Sequence, residues 1–126
     1  MKKKIALLSV TTVALMLTVG SPAVMADEQW ATSLCEYTKA DDKNRIRKLL
    51  SDNKLNVRKI YDKVQCNGDS LIKFAMRSDA YEVGSFYVKQ MPAKSLVGEG
   101  LEAWAEANGF AQSSLINDIK ARIGQD

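Results

Sequence analysis

Two cysteines, Cys35 and Cys66, constrain this chain more than any other feature, because the segment ahead of them reads as an export signal. Thiols that leave the cytoplasm meet an oxidising compartment, where a lone pair closes into a disulfide. The signal has its three parts in order: Lys2-Lys3-Lys4, an apolar run from Ile5 to about Val19, and Pro22-Ala23-Val24-Met25-Ala26, with small residues suited to signal peptidase. The run falls short of the ~20 apolar residues a membrane span needs and carries Ser9, Thr11, Thr12 and Thr18, so an anchor is the weaker reading. No cysteine follows Ala26 directly, which also disfavours a lipoprotein. The expectation is a signal peptide over 1–26 and a single domain over 27–126, periplasmic, with secretion beyond the envelope open.

Removing the signal changes the charge balance. The whole chain has 18 basic and 15 acidic residues, and loss of Lys2, Lys3 and Lys4 leaves 15 of each. A neutral domain offers no electrostatic case for nucleic acid or for an anionic membrane. About a hundred residues support one modest core with little stability to spare. A Cys35–Cys66 tie would contribute roughly 3–4 kcal/mol by loop-closure entropy. A redox pair is the poorer alternative, since the Cys-x-x-Cys spacing is missing.

Along the domain the apolar spacing is helical throughout. Trp30, Leu34 and Tyr37 mark a first helix over Glu28 to Lys39. Asp41 stands as N-cap to a second, with Ile46, Leu49 and Leu50 inward and Lys43, Arg45, Arg47 and Lys48 on a solvated face. Asn56 caps a third through Val57, Ile60, Tyr61 and Val64, which Asn67-Gly68 should end. Ser70 or Asp69 caps the next, burying Leu71, Ile72, Phe74 and Ala75. Asp79 with Glu82 resembles a capping box for a helix through Val83, Phe86, Tyr87, Val88 and Met91, limited by Pro92. Ser95 to Gly100 reads as a loop or a frayed helix start. Leu101, Trp104 and Ala105 form another apolar face stopped at Asn108-Gly109, and Leu115, Ile116, Ile119 and Ile123 give a last helix. No useful strand-like alternation appears, so the fold class expected is all-α.

A shift of 38 aligns Leu34 with Ile72, Asp41 with Asp79, Leu49 with Tyr87 and Leu50 with Val88. A shift of 30 takes Leu71 to Leu101, Phe74 to Trp104 and Asp79 to Gly109. Such self-similarity is the logic of stacked helix pairs. The unit from Gly68 to Ala75, followed by Glu82-Val83, resembles an ankyrin repeat: Ser70 takes the Thr place of the opening motif, Ile72 the Leu place and Ala75 the Ala place. Leu71 replaces the Pro, Lys73 the His and Asp79 the turn Gly. The resemblance implies short antiparallel helix pairs in a compact, irregular ankyrin-like array.

A second resemblance covers most of the domain. Leu34-Cys35, Arg45 to Leu50, Ile60-Tyr61 and above all Cys66-Asn67-Gly68-x-Ser70-Leu71 are similar to a domain family of small exported γ-proteobacterial proteins with no assigned function. The resemblance implies paired cysteines and a periplasmic setting, and no activity.

The chemical inventory is thin. There is no histidine, so the usual general base near neutral pH and the commonest zinc ligand are both missing. A bridged cysteine pair leaves no thiol nucleophile, and no Gly-x-Ser-x-Gly turn is present. Ser70 with Lys73 one turn later is a conceivable Ser-Lys pair, but Ser70 is better used as a cap. Asp41-Asp42 and Glu102/Glu106 read as a helix start and an exposed i, i+4 pair, and Asn67-Gly68-Asp69 lacks the alternating oxygens of a calcium loop. The sequence therefore predicts no catalytic residue, metal or cofactor.

The function expected is a non-enzymatic periplasmic interaction module for an envelope or periplasmic protein. Asn67, Asp69, Lys73 and Arg77 are its candidate partner-binding residues beside the pinned turn, and Trp30 is a second candidate anchor. The alternative is a small carrier holding an apolar or envelope-derived ligand between helices, and an unrecognised hydrolase is a third. A carrier needs an enclosed apolar pocket, whereas an interaction module needs only a filled core.

Overall fold

In the computed structural model, which describes residues 29–124, every named element is a helix. The expected signal peptide and the start of the mature chain lie outside the described residues. In order the helices are α1 (Gln29–Lys39), α2 (Lys43–Asp52), α3 (Val57–Ile60) continued by a 3-10 turn (Tyr61–Lys63), α4 (Leu71–Arg77), α5 (Tyr81–Gln90), α6 (Ala93–Glu99), α7 (Leu101–Asn108) and α8 (Ser114–Gly124). The all-α expectation holds, and Cys35 and Cys66 are joined. No helix among the described residues is long and apolar enough to cross a membrane.

Four of these helices end the same way. After α1, α2, α4 and α7 one residue turns left-handed, at Asp41, Lys54, Asp79 and Gly109. The next N–H reaches back five residues, Asp42 to Tyr37, Leu55 to Leu50, Ala80 to Ala75 and Phe110 to Ala105. This is the Schellman motif, which satisfies terminal carbonyls and reverses the chain in few residues. Asp41 and Asp79 are thus helix stops rather than the N-caps of α2 and α5 that their positions in the sequence predict. Asp42 takes the N-cap role for α2, accepting from the Arg45 N–H at 3.1 Å.

The 38-residue register carries through to these elements. α1 and α4 end at Lys39 and Arg77, and α2 and α5 begin at Lys43 and Tyr81. The two pairs stack with α1 on α4 and α2 on α5, while α8 packs on α5 and α6. Leu34, Ile46, Leu71, Ile72, Val83, Tyr87 and Ile119, at the contacts, are fully buried. One polar link crosses this core. Thr38 Oγ1 donates to the Leu34 carbonyl at 2.7 Å, so the Tyr87 hydroxyl must be the donor in its 2.6 Å contact with Thr38. Burial pushes the Tyr87 hydroxyl above its usual range and keeps it protonated for that bond.

Helix α5 has Ala80 at its N-cap and no side-chain cap of its own, so the Asp79/Glu82 capping box does not form. Its acceptor comes from the other pair: Asp41 Oδ1 accepts from the Val83 N–H at 2.8 Å. Two equivalent left-handed aspartates therefore differ in worth. Left-handed backbone costs a non-glycine residue about 1 kcal/mol or more, which glycine avoids. Asp79→Gly is expected to stabilise by about 1 kcal/mol, whereas Asp41→Gly also loses a cap worth ~1 kcal/mol and should gain nothing. Urea denaturation of the two variants measures the difference directly.

Two further expectations are corrected. Of the two readings of residues 95–100, a loop or a frayed helix start, the loop is set aside and the start is corrected, because α6 runs from Ala93 to Glu99, started by Pro92 and ended by left-handed Gly100. Its buried residues are Ala93 and Leu96, an apolar stripe too sparse to register as periodicity. Nor does Asn67-Gly68 end the third helix, which stops at Lys63.

Candidate functional site

Asn67 and Gly68 both have positive φ, 55° and 84°, and sit between Cys66 and Asp69. The N–H of Cys66 donates to the Asp69 carbonyl at 2.8 Å, and the reverse bond is 3.0 Å. This is the two-residue turn that Asn-Gly favours, closing a minimal β-bridge rather than a helix. It fixes Cys66 against Cys35 of α1, with Cα atoms 5.6 Å apart, and delivers the chain to α4. Ser70 caps α4, accepting from the Lys73 N–H at 3.3 Å. Lys73 and Arg77 then follow at one-turn intervals along the same helix, so the turn sets the position of all four candidate residues.

The structure brings three of the four into one cluster. Arg77 Nε donates to Asp69 Oδ2 at 2.5 Å and Nη2 to Asn108 Oδ1 at 3.3 Å. Its guanidinium carbon lies 5.1 Å from the Trp104 ring centre and 5.8 Å from that of Phe110. Those two rings stack at 5.7 Å with 15° between planes. The Lys73 ammonium sits 5.4 Å from the Trp104 ring. Each cation–ring contact is worth about 0.5–1 kcal/mol where exposed, and together they hold long side chains in one geometry. Asp69 is mostly covered, its side chain 13 % exposed, whereas Arg77 remains 43 % exposed. Asn67 stands apart at the exposed turn tip. Trp30 is only half-buried and packs against the core.

Behind Ser70 lies a second arrangement that sequence reasoning missed. Tyr61 donates to Glu99 Oε1 at 2.7 Å, and the Ser70 hydroxyl donates to Glu99 Oε2. Tyr61 has a single proton, and the carboxylate is its stronger acceptor, so the 3.1 Å approach of Tyr61 to Ser70 is secondary. Burial first, and the Glu99 charge second, push the Tyr61 hydroxyl far above its usual range, so it stays a donor. Lys73 Nζ stands 3.8 Å from Glu99 Oε2, which links this trio to the cation–ring cluster. The trio lines one side of an open cleft of about 470 Å³ between the 3-10 turn and α6. Arg58, Asp62 and Ser95 stand on the same cleft. Glu99 meets Ser70 and Tyr61 across 29 and 38 residues, and no local spacing in the sequence announces such contacts.

Chemically, Ser70 has its oxygen engaged by the Lys73 amide and its proton given to Glu99. Among the described residues no three aspartate, glutamate or cysteine side chains gather to hold a metal ion. Residues 34–98 match the model of a family described as a protein of unknown function (DUF3718). No curated protein and no solved structure matches the chain.

Proposed function

The chain belongs to DUF3718, a family of proteins of unknown function, and from that premise we propose that it is a non-enzymatic periplasmic module that binds a protein partner beside the disulfide-pinned turn. The observation that carries this reading is the Arg77–Trp104–Phe110 cluster. Arginine and tryptophan are the residue types that dominate binding energy at protein interfaces. Here Asp69 and two stacked rings orient the arginine in advance, which reduces the ordering entropy that association must overcome. Asn67 is exposed at the tip of the turn that carries Asp69, the kind of turn tip through which helical-repeat proteins, ankyrin-like ones among them, meet their partners. The absence of histidine and the commitment of Ser70 to its cap support the non-enzymatic reading. The core clusters continuously from α1 to α8, which favours an interaction module over a carrier of apolar ligands.

The test is native mass spectrometry of the protein isolated from its own cells, wild type beside Arg77→Glu with Trp104→Ala. A partner mass carried by the wild type and lost from the folded variant is the expected result. Retention of every partner by the variant overturns this surface, and an apolar or lipid-sized adduct on the wild type favours the carrier.

A further inference from the structure

The cleft behind Ser70 has a chemistry that a protein-docking face does not require. We propose that it binds a small zwitterion of amino-acid to dipeptide size, its ammonium toward Glu99 and its carboxylate toward Arg58.

The volume is in range: about 470 Å³ lies within the ~300–1,000 Å³ of ordinary small-molecule sites. Glu99 supplies an oriented negative charge. Tyr61 and Ser70 each occupy one of its oxygens, and a carboxylate oxygen has room for a second donor. Lys73, at 3.8 Å, is too far for a hydrogen bond and offsets that charge only in part.

Arg58 supplies the opposite charge. Its Nε donates to the Gln90 carbonyl at 3.0 Å, anchoring the guanidinium at the end of α5, and its outer nitrogens, which have no hydrogen-bond partner among the described residues, can pair with a carboxylate. On the same cleft Val64, Met91 and Pro92 offer apolar wall for a short aliphatic body. A lipid-like ligand would leave Glu99, Asp62 and Arg58 facing hydrocarbon, which the desolvation of charge forbids. A simple anion or cation would use one end and be repelled at the other. The zwitterion alone satisfies both.

The experiment is an amide-resolved NMR titration of the oxidised, full-length exported protein with L-alanyl-L-alanine. The controls are its N-acetyl and its C-terminal amide derivatives. Saturable shifts at Ser70, Ser95 and Gly98 are expected for the free dipeptide, with affinity lower by about tenfold or more for each blocked form. Arg58→Gln should remove the preference for the free carboxylate while keeping that for the free amine. Ser95→Trp, at an exposed position one turn before Glu99 on α6, should fill the cleft and abolish binding. Equal affinity for the blocked forms overturns the zwitterion assignment. Absence of saturation with L-alanyl-L-alanine, or wild-type binding by Ser95→Trp, overturns the site. None of these outcomes bears on the Arg77 surface, so the two proposals fail independently.

Discussion

Replacing both cysteines, Cys35→Ser with Cys66→Ser, is expected to remove about 3–4 kcal/mol of stability. The bridge closes a segment of 31 residues, and restoring that freedom to the unfolded chain accounts for an effect of this size in the loop-entropy treatment. For a domain of about a hundred residues the melting temperature should fall by roughly 15–25 °C. That loss is a large part of the ~5–15 kcal/mol such a domain has in total. The bridge also joins α1 to the Asn67-Gly68 turn, from which α4 and the candidate residues take their position. Thermal unfolding followed by circular dichroism, with and without reductant, checks it. A shift of only a few degrees would show that helix packing alone holds α1 in place.

Leu115→Ala is expected to cost about 2–5 kcal/mol, and Gly84→Ala to reverse its sign depending on whether Leu115 is present. Gly84 lies within α5 where α8 crosses it, and both residues are buried. A methyl group built there would lie within 2.9 Å of Leu115 Cδ2 and closer still to Cδ1. Leu115 has no solvent to retreat into, being 2 % exposed. Overpacking of this kind costs about 1–3 kcal/mol, against roughly 1 kcal/mol gained from alanine's better helix propensity. Gly84→Ala alone should therefore destabilise. In the Leu115→Ala background the added methyl enters the vacated space, so the same substitution should stabilise. The coupling, of about 1–3 kcal/mol, is read from a double-mutant cycle of urea midpoints. Additive effects would mean that α5 and α8 do not meet at Gly84.

The helices and their inward faces were legible in the sequence because a 3.6-residue apolar spacing reports burial directly. Leu34, Ile46, Leu50, Ile60, Leu71, Ile72, Val83 and Ile119 all face the core as their spacing predicts. Local caps were legible for the same reason: Asn56 and Ser70 each accept from an N–H three residues on. Asn67-Gly68 carried a clear local signal for a two-residue turn, yet it also fits a helix stop, and only the Cys66–Asp69 pairing separates the two. Lys54 in left-handed backbone was illegible, since the Schellman bonds to Leu50 and Ser51 impose there what composition disfavours.

The sequence by itself determined an all-helical chain, the residues available for a single disulfide, a histidine-free inventory and the 38-residue register of its helix pairs. Each of these depends on composition or on residues within a few turns of one another. Only the tertiary structure decided that Asp41 caps a helix 42 residues away, that Arg77 rests on Trp104 and Phe110, and that Glu99 closes on Tyr61 and Ser70. A carboxylate or guanidinium satisfies itself with whatever donor, acceptor or ring the packing of apolar faces brings within about 3–5 Å, and that choice is made after the helices dock. Helical periodicity encodes which side of a helix is buried, and it carries no record of which distant polar group will stand opposite.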